Sequence, residues 1–176
     1  KEQLQFCHKV ASFITSEASN RCFVLRGYAG TGKTTSVAAL VSALPQFKMR
    51  VVLLAPTGRA AKVISNYTNK TALTVHKKIY RKRSAVSTEM AFQLAPNLAE
   101  NTLFIVDEAS MIADEWNPQN GSSFLKDLIE FVFQPNPTGK DKNCALLFVG
   151  DTAQLPPVGS IESPALNEKY LKDNFG

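Results

Sequence analysis

Two stretches of this chain combine residue types that handle phosphate and metal ions. Gly27-Tyr28-Ala29-Gly30-Thr31-Gly32-Lys33-Thr34 has the spacing G-x-x-x-x-G-K-T. Glycines at that spacing let a backbone fold round a phosphate chain with its N–H groups inward, and a following helix adds its positive N-terminal end. Lys33 then reaches the β- and γ-phosphates, and the Thr34 hydroxyl is a ligand for Mg2+. Thr35, next in the chain, joins the same candidate nucleotide contacts. Farther on, the apolar run Leu103-Phe104-Ile105-Val106 ends in Asp107-Glu108. A carboxylate at the carboxyl end of a neighbouring strand can hold magnesium beside Thr34, and a second can orient and deprotonate an attacking water. Asp107 takes the first role and Glu108 the second.

These groups need a scaffold that brings distant loops together, and the hydrophobic pattern supplies one. Leu4, Cys7, Ala11 and Ile14 recur at helical spacing, so residues 1–16 form an amphipathic helix. A strand over 22–26, the phosphate loop, and a helix from Lys33 to about Leu44 that stops before Pro45 come next. Arg50 to Ala55 is almost continuously apolar, as strands buried on both faces of a parallel sheet are. Gly58 to Tyr67 reads as a helix and Thr74 to Ile79 as a short helical turn. The polar segment 84–89, flanked by Tyr80 and Phe92, predicts a small hairpin inserted at about 79–98. Leu103 to Val106 and Ala145 to Val149 are further short apolar strands, with a helical face of Phe124, Leu125, Leu128, Ile129 and Val132 between them. Strands alternating with helices imply right-handed crossovers and an α/β fold with a parallel sheet flanked by helices.

At 176 residues, 44% hydrophobic and 20% charged, the chain suffices for one buried core rather than two, so residues 1–176 are expected to form a single domain. The net charge of +5 makes a polyanion a plausible partner. Cys7, Cys22 and Cys144 are odd in number and scattered, which argues against a disulfide framework or a zinc site and for a reducing, cytoplasmic setting. Apolar runs such as Ala145 to Val149 fall far short of the roughly 18 residues that span a bilayer, so no membrane partner is expected. The cluster Lys77, Lys78, Arg81, Lys82 and Arg83, with Tyr80 among it, suits an electrostatic groove with a base-stacking option.

The segments GYAGTGKTT, LAPTGRAAKVI, TALTVHKKIY, LFIVDEASMI and FVGDTAQLPPVG occur in an order and spacing that resembles the superfamily 1B DNA helicases, the RecD/Dda-like group. The likeness runs from Gln3 to Gly159. It implies a P-loop NTPase with a RecA-like sheet, the Walker A loop at 27–34 and Walker B acids at Asp107-Glu108, in the ATP-binding N-terminal motor domain of a 5′-to-3′ helicase. By the same resemblance Gln154 senses the γ-phosphate, and Gln3, or less readily Gln5, reads the adenine edge. Thr57, Gly58, Arg59, Thr74 and His76 match family positions on the single-stranded DNA backbone, beside Lys77, Lys78 and Arg81. Phe92 or Tyr80 is the candidate wedge of a duplex-splitting hairpin, and the strand carrying GDTAQ is expected between those of the phosphate loop and Asp107. Exonuclease V alpha-subunit-like roles in DNA repair belong to the same resemblance.

Helicases of that group close ATP between two RecA-like domains, and no motifs of the second appear before Gly176. A missing C-terminal RecA-like domain of the same parent chain is therefore expected as a partner, with weak activity in the isolated piece. Other classes weigh less. A GTPase would need an Asp in an N-K-x-D reader, whereas Asn69-Lys70-Thr71-Ala72 lacks it. A non-catalytic, nucleotide-gated module that binds single strands is the alternative for the piece alone.

Overall fold

The computed structural model describes residues 2–28, 30–82, 92–117, 121–154, 157 and 162–176, without the side chains of residues 2–7, 82 and 117. Its centre is a five-stranded, wholly parallel sheet in the order β1-β9-β6-β2-β3. The strands are β1 (Arg21–Arg26), β2 (Arg50–Ala55), β3 (Ala72–Thr74), β6 (Thr102–Val106) and β9 (Ala145–Gly150). As the family resemblance implied, the GDTAQ strand β9 lies between β1 and β6.

Period-two alternation in the central strands decides which helices pack where. Leu103 and Ile105 of β6, with Ala145, Leu147 and Val149 of β9, face α1 (Glu2–Thr15), α2 (Lys33–Ala43) and α3 (Gly58–Thr68), meeting Val10, Ile14, Val37, Leu40, Val41 and Ile64. Phe104, Val106, Leu146 and Phe148 face the other way. They meet α4 (Val75–Ile79), α5 (Phe124–Phe133) and α6 (Glu168–Phe175) through Val75, Ile79, Leu125, Leu128, Phe131 and Leu171. All residues of β6 and β9 are buried, the signature of strands covered on both faces. No helix among the described residues is long and apolar enough to cross a membrane.

Two polar devices tie the layers. Arg21, only 7% exposed, donates from Nη1 to the Ile14 carbonyl at 2.8 Å and the Phe13 carbonyl at 3.2 Å, and to the Ser16 carbonyl. A cation on the last carbonyls of a helix satisfies orphan acceptors and complements the dipole, so α1 is anchored to the start of β1. On the opposite layer the Tyr80 hydroxyl donates to the buried Asp127 carboxylate at 2.5 Å.

Sequence and structure differ at several places. The α2 helix does stop before Pro45, but a 3-10 turn over Leu44–Phe47 takes Pro45 in its first turn, where a missing N–H costs nothing. Strand β3 is three residues long, too short for a periodic signal, and is recruited by pairing with Leu53–Ala55. Within the stretch where a hairpin is expected, β4 (Tyr80–Lys82) pairs antiparallel with β5 (Phe92–Leu94), and residues 83–91 lie outside the described residues. A second small ladder joins β7 (Trp116–Asn117) to β8 (Ser122–Ser123).

Gly150, the last residue of β9, permits the closest approach in this core. A Cβ there would meet Leu166 Cδ1 at 2.7 Å and the Ser110 backbone nitrogen at 3.2 Å. Leu166 is 2% exposed, so its side chain or the Ser110 backbone would have to shift. Gly150→Ala is expected to destabilise the fold by about 1–3 kcal/mol, the cost of overpacking a filled core, measured by urea denaturation; an unchanged midpoint contradicts this packing.

Candidate nucleotide site and nucleic-acid face

Because every strand of the sheet runs the same way, the loops after β1, β2, β3, β6 and β9 share one edge. The glycine-rich loop leaves β1 at Gly27, whose N–H donates to the Gly150 carbonyl at 3.2 Å and pins the loop to β9. A Cβ on Gly27 would lie 2.8 Å from Thr31 Oγ1. Gly30 and Gly32 have φ of 78° and 81°, open to glycine without steric cost. Gly32 is the N-cap of α2, with no side-chain cap and no acid in the first turn. The leading N–H groups of an eleven-residue helix are therefore left to an anion. Tyr28, Gly30, Thr31 and Thr35 are exposed around this loop and Thr34 is half-buried, while Ala29 lies outside the described residues.

Lys33 folds back over its own loop. Its Nζ donates to the Gly27 carbonyl at 2.5 Å and the Tyr28 carbonyl at 2.8 Å, and lies 4.0 Å from Asp151 Oδ2. Asp151 is only 3% exposed. It ends β9 as Asp107 ends β6, and the sequence reading missed it, although a buried apolar run closing on a carboxylate was the signal that singled out Asp107.

Asp107 is also buried, and its N–H donates to the Leu54 carbonyl at 2.9 Å. Burial pushes its carboxyl above the usual carboxylate range. A backbone hydrogen bond from Glu108 opposes this, the Glu108 charge adds to it, and the Lys33 charge opposes it. A hard cation on hydroxyl and carboxylate oxygens would offset that desolvation, so Asp107 and Thr34 suit magnesium as a donor set. Glu108 is half-buried and left-handed, with φ 53° and ψ 37°. A non-glycine residue there is strained, as residues at working sites often are. The chain turns at Glu108 into a 3-10 turn, Ala109–Met111, whose Ser110 hydroxyl donates to Gln154 Oε1 at 3.0 Å. Ser110 was not singled out by the sequence, since its proximity to Gln154 depends on that turn.

Gln3 lies in the first turn of α1, with its side chain outside the described residues. The candidate DNA contacts follow the carboxyl ends of β2 and β3. Thr57 caps α3, accepting from the Ala60 N–H at 3.2 Å, and leaves Gly58 and Arg59 exposed on the first turn. Thr74 caps α4, accepting from the Lys77 N–H at 3.3 Å. Both threonine hydroxyls thus have a capping role that the sequence reading did not assign. His76 stacks on Phe124 with ring centres 4.3 Å apart, and burial holds its pKa below the ordinary histidine value. Lys77 is exposed and Lys78 half-buried. Arg81 faces Gln93 across the hairpin; with that amide's oxygen turned toward it, Nε and Nη2 lie 2.7 and 2.9 Å away. Of the two wedge candidates Phe92 is 48% exposed, whereas the Tyr80 hydroxyl is held by Asp127.

A family model described as an AAA domain matches residues 11–160. The chain belongs to that family. It is a superfamily 1 helicase motor domain of the N-terminal kind. Among its relatives, the ATP-dependent RecD2 DNA helicase of Deinococcus radiodurans is 35% identical over 84% of this chain and 18% of that protein. The ATP-dependent DNA helicase dda of Enterobacteria phage T4 is 27% identical over 86% of the chain and 30% of its own length. The Multifunctional conjugation protein TraI of Escherichia coli K12 is 33% identical over 64% of the chain and 6% of its length. The motor domain thus spans less than a third of each of these three relatives.

The raised Asp107 carboxyl makes a signed prediction for the motor domain without metal. An acid whose pKa is higher folded than unfolded supports the fold in its protonated form. That support is lost as pH rises from the ordinary carboxylate value through the raised one. Asp107→Asn is expected to raise the melting temperature at neutral pH, with the gain shrinking toward acid pH. Melting curves across that range check it, and a destabilised variant at neutral pH contradicts it.

Proposed function

We propose that this chain is the ATP-binding domain of an ATP-dependent 5′-to-3′ DNA helicase, coupling Mg-ATP hydrolysis to movement along single-stranded DNA. The observation that carries the proposal is the convergence of Lys33, Asp107, Glu108, Asp151 and Gln154 on the sheet edge that also presents Arg59, His76 and Lys77. The names of the relatives support it, two of them being called ATP-dependent DNA helicases.

In this mechanism the triphosphate lies over the Gly27–Thr34 loop, and its phosphate oxygens take Lys33 from the Gly27 and Tyr28 carbonyls. Thr34 and Asp107 would hold magnesium, which would supply neutralisation of phosphate charge. Glu108 accepts the proton of the attacking water, and Gln154 contacts the γ-phosphate. Gln3 reads the adenine edge. Arginines from a second RecA-like domain of the same parent chain stabilise transition-state charge, a contribution of roughly 10³–10⁵ in rate where such fingers are measured. The chain alone is therefore expected to hydrolyse ATP weakly and to unwind no duplex.

Exchange of the lysine's carbonyl partners for phosphate oxygens strengthens its bonds, since an ammonium is attracted more strongly to a charged phosphate than to a neutral carbonyl. Lys33→Ala is expected to weaken Mg-ATP binding about 10- to 100-fold, the scale of hydrogen bonds to a charged group. Calorimetric titration returning wild-type affinity rejects the loop as an ATP site. In the parent, Glu108→Gln should keep nucleotide affinity while steady-state turnover falls by about 10² or more; turnover near wild type removes Glu108 from the base role.

The nucleic-acid half has its own test. Binding of a fluorescent single strand, followed by anisotropy, should weaken steeply with salt, and Lys77→Ala should lower the slope of log affinity against log salt by about 0.7. Salt-insensitive binding, or none, makes the basic face an ordinary solvated surface.

A further inference from the structure

We infer, on the basis of the nucleotide site proposed above, that Ser110 is a positioning residue for Gln154: it fixes the amide with its N–H groups outward, and this pair tells a nucleoside triphosphate from a diphosphate. Ser110 is wholly buried, whereas Gln154 is exposed. The bond between them engages the amide oxygen of Gln154. An amide has one acceptor end and one donor end. With the oxygen held from inside, both Nε2 protons are left for whatever lies outside. Gln154 there borders a cavity of about 320 Å³ that Arg26, Asp151, Thr152 and Glu162 also line. Donors suit a terminal phosphate, while the reversed amide would set its oxygen against phosphate oxygens. In the orientation the structure shows, the serine holds the acceptor end of the amide and leaves the donor end outward.

Both ends of the bond are held by backbone. On one side, the left-handed Glu108 starts the turn, the Met111 N–H closes it on the Glu108 carbonyl at 3.1 Å, and the Ser163 hydroxyl donates to the Ala109 carbonyl at 3.4 Å. The bare Cα of Gly150 lets this turn sit close to β9. On the other side, Asp151 Oδ1 accepts from the Ala153 N–H at 2.8 Å and its carbonyl from the Gln154 N–H at 3.3 Å. Its second oxygen faces Lys33. Lys33 and Gln154 are therefore both referred to Asp151, the lysine through its carboxylate and the glutamine through its backbone carbonyl. An amide already oriented loses little freedom when a phosphate arrives.

The test measures, by calorimetry with magnesium, the affinities of ADP and of a non-hydrolysable imido-bridged triphosphate. The proteins are the wild-type chain, Ser110→Ala, Gln154→Ala and the double variant. Ser110→Ala should cut the preference for triphosphate over diphosphate roughly 3- to 10-fold, the range of one hydrogen bond, with ADP affinity unchanged. The double variant should be no worse than Gln154→Ala, because residues acting as one unit are not additive. Equal losses for both nucleotides mark a merely structural serine and overturn the inference, as do additive losses or an undiminished preference. Wild-type chain that binds neither nucleotide overturns the nucleotide site itself, and this inference with it. Wild-type chain that binds both, beside a Ser110→Ala variant with full preference, overturns the serine's role alone.

Discussion

Insertion of β9 between β1 and β6 is the constraint on which the site depends. Parallel strands in that order put three carboxyl ends side by side, and each delivers one part of the chemistry. The glycine loop and Lys33 come from β1, Asp151 from the middle, and Asp107 with Glu108 from β6. The cost of the arrangement is that two acids sit at the ends of adjacent strands buried on both faces. Asp151 is offset by Lys33 at 4.0 Å, whereas Asp107 has only the more distant part of that charge and a like-charged neighbour. Burial wins at Asp107. A carboxylate left in that condition suits a cation better than it suits the fold.

The nucleic-acid side uses a different economy of residues. Thr57 and Thr74 each start a helix that leaves the sheet edge, and each hydroxyl satisfies the helix it begins. Capping of this kind is typically worth about 1 kcal/mol, enough to keep short segments such as the five-residue α4 in place. For the single strand proposed above, these caps would leave the outer surface of those turns, with Arg59 and Lys77 exposed on it. The aromatic contacts among His76, Phe124, Tyr80 and Phe92 join α4, α5 and the hairpin into one unit.

Much of this was legible in the sequence because the central strands are short apolar runs bounded by charge or glycine. That pattern gave β1, β2, β6 and β9 to within a residue or two, and the acids at their ends followed. Strand β3 was not legible: Ala72-Leu73-Thr74 has no period of its own and becomes a strand by pairing with β2. The helix over Glu168–Phe175 was likewise missed. Within the site, Lys33 and Asp107 could be named from spacing, but Asp151 was passed over although its strand carries the same sign as the one ending at Asp107. Ser110 lay beyond pattern altogether. Its contact with Gln154 is made by one backbone conformation at Glu108 and one absent side chain at Gly150, and neither leaves a periodic trace.

Among the described residues, β1 is hydrogen-bonded to β9 alone, whereas β9 and β6 are each paired on both sides. The phosphate loop therefore hangs from the border of the sheet, and the acids that face it hang from its interior. Amide protons of β6 and β9 are expected to exchange only with global unfolding, and those of the border strand β1 through local release as well. The bond from the Gly27 N–H to the Gly150 carbonyl carries the backbone seam between the two strands one step into the loop. A ligand bridging Lys33 on one side and Asp107 on the other acts as a clasp across it, lending the border strand the slow exchange of its neighbours.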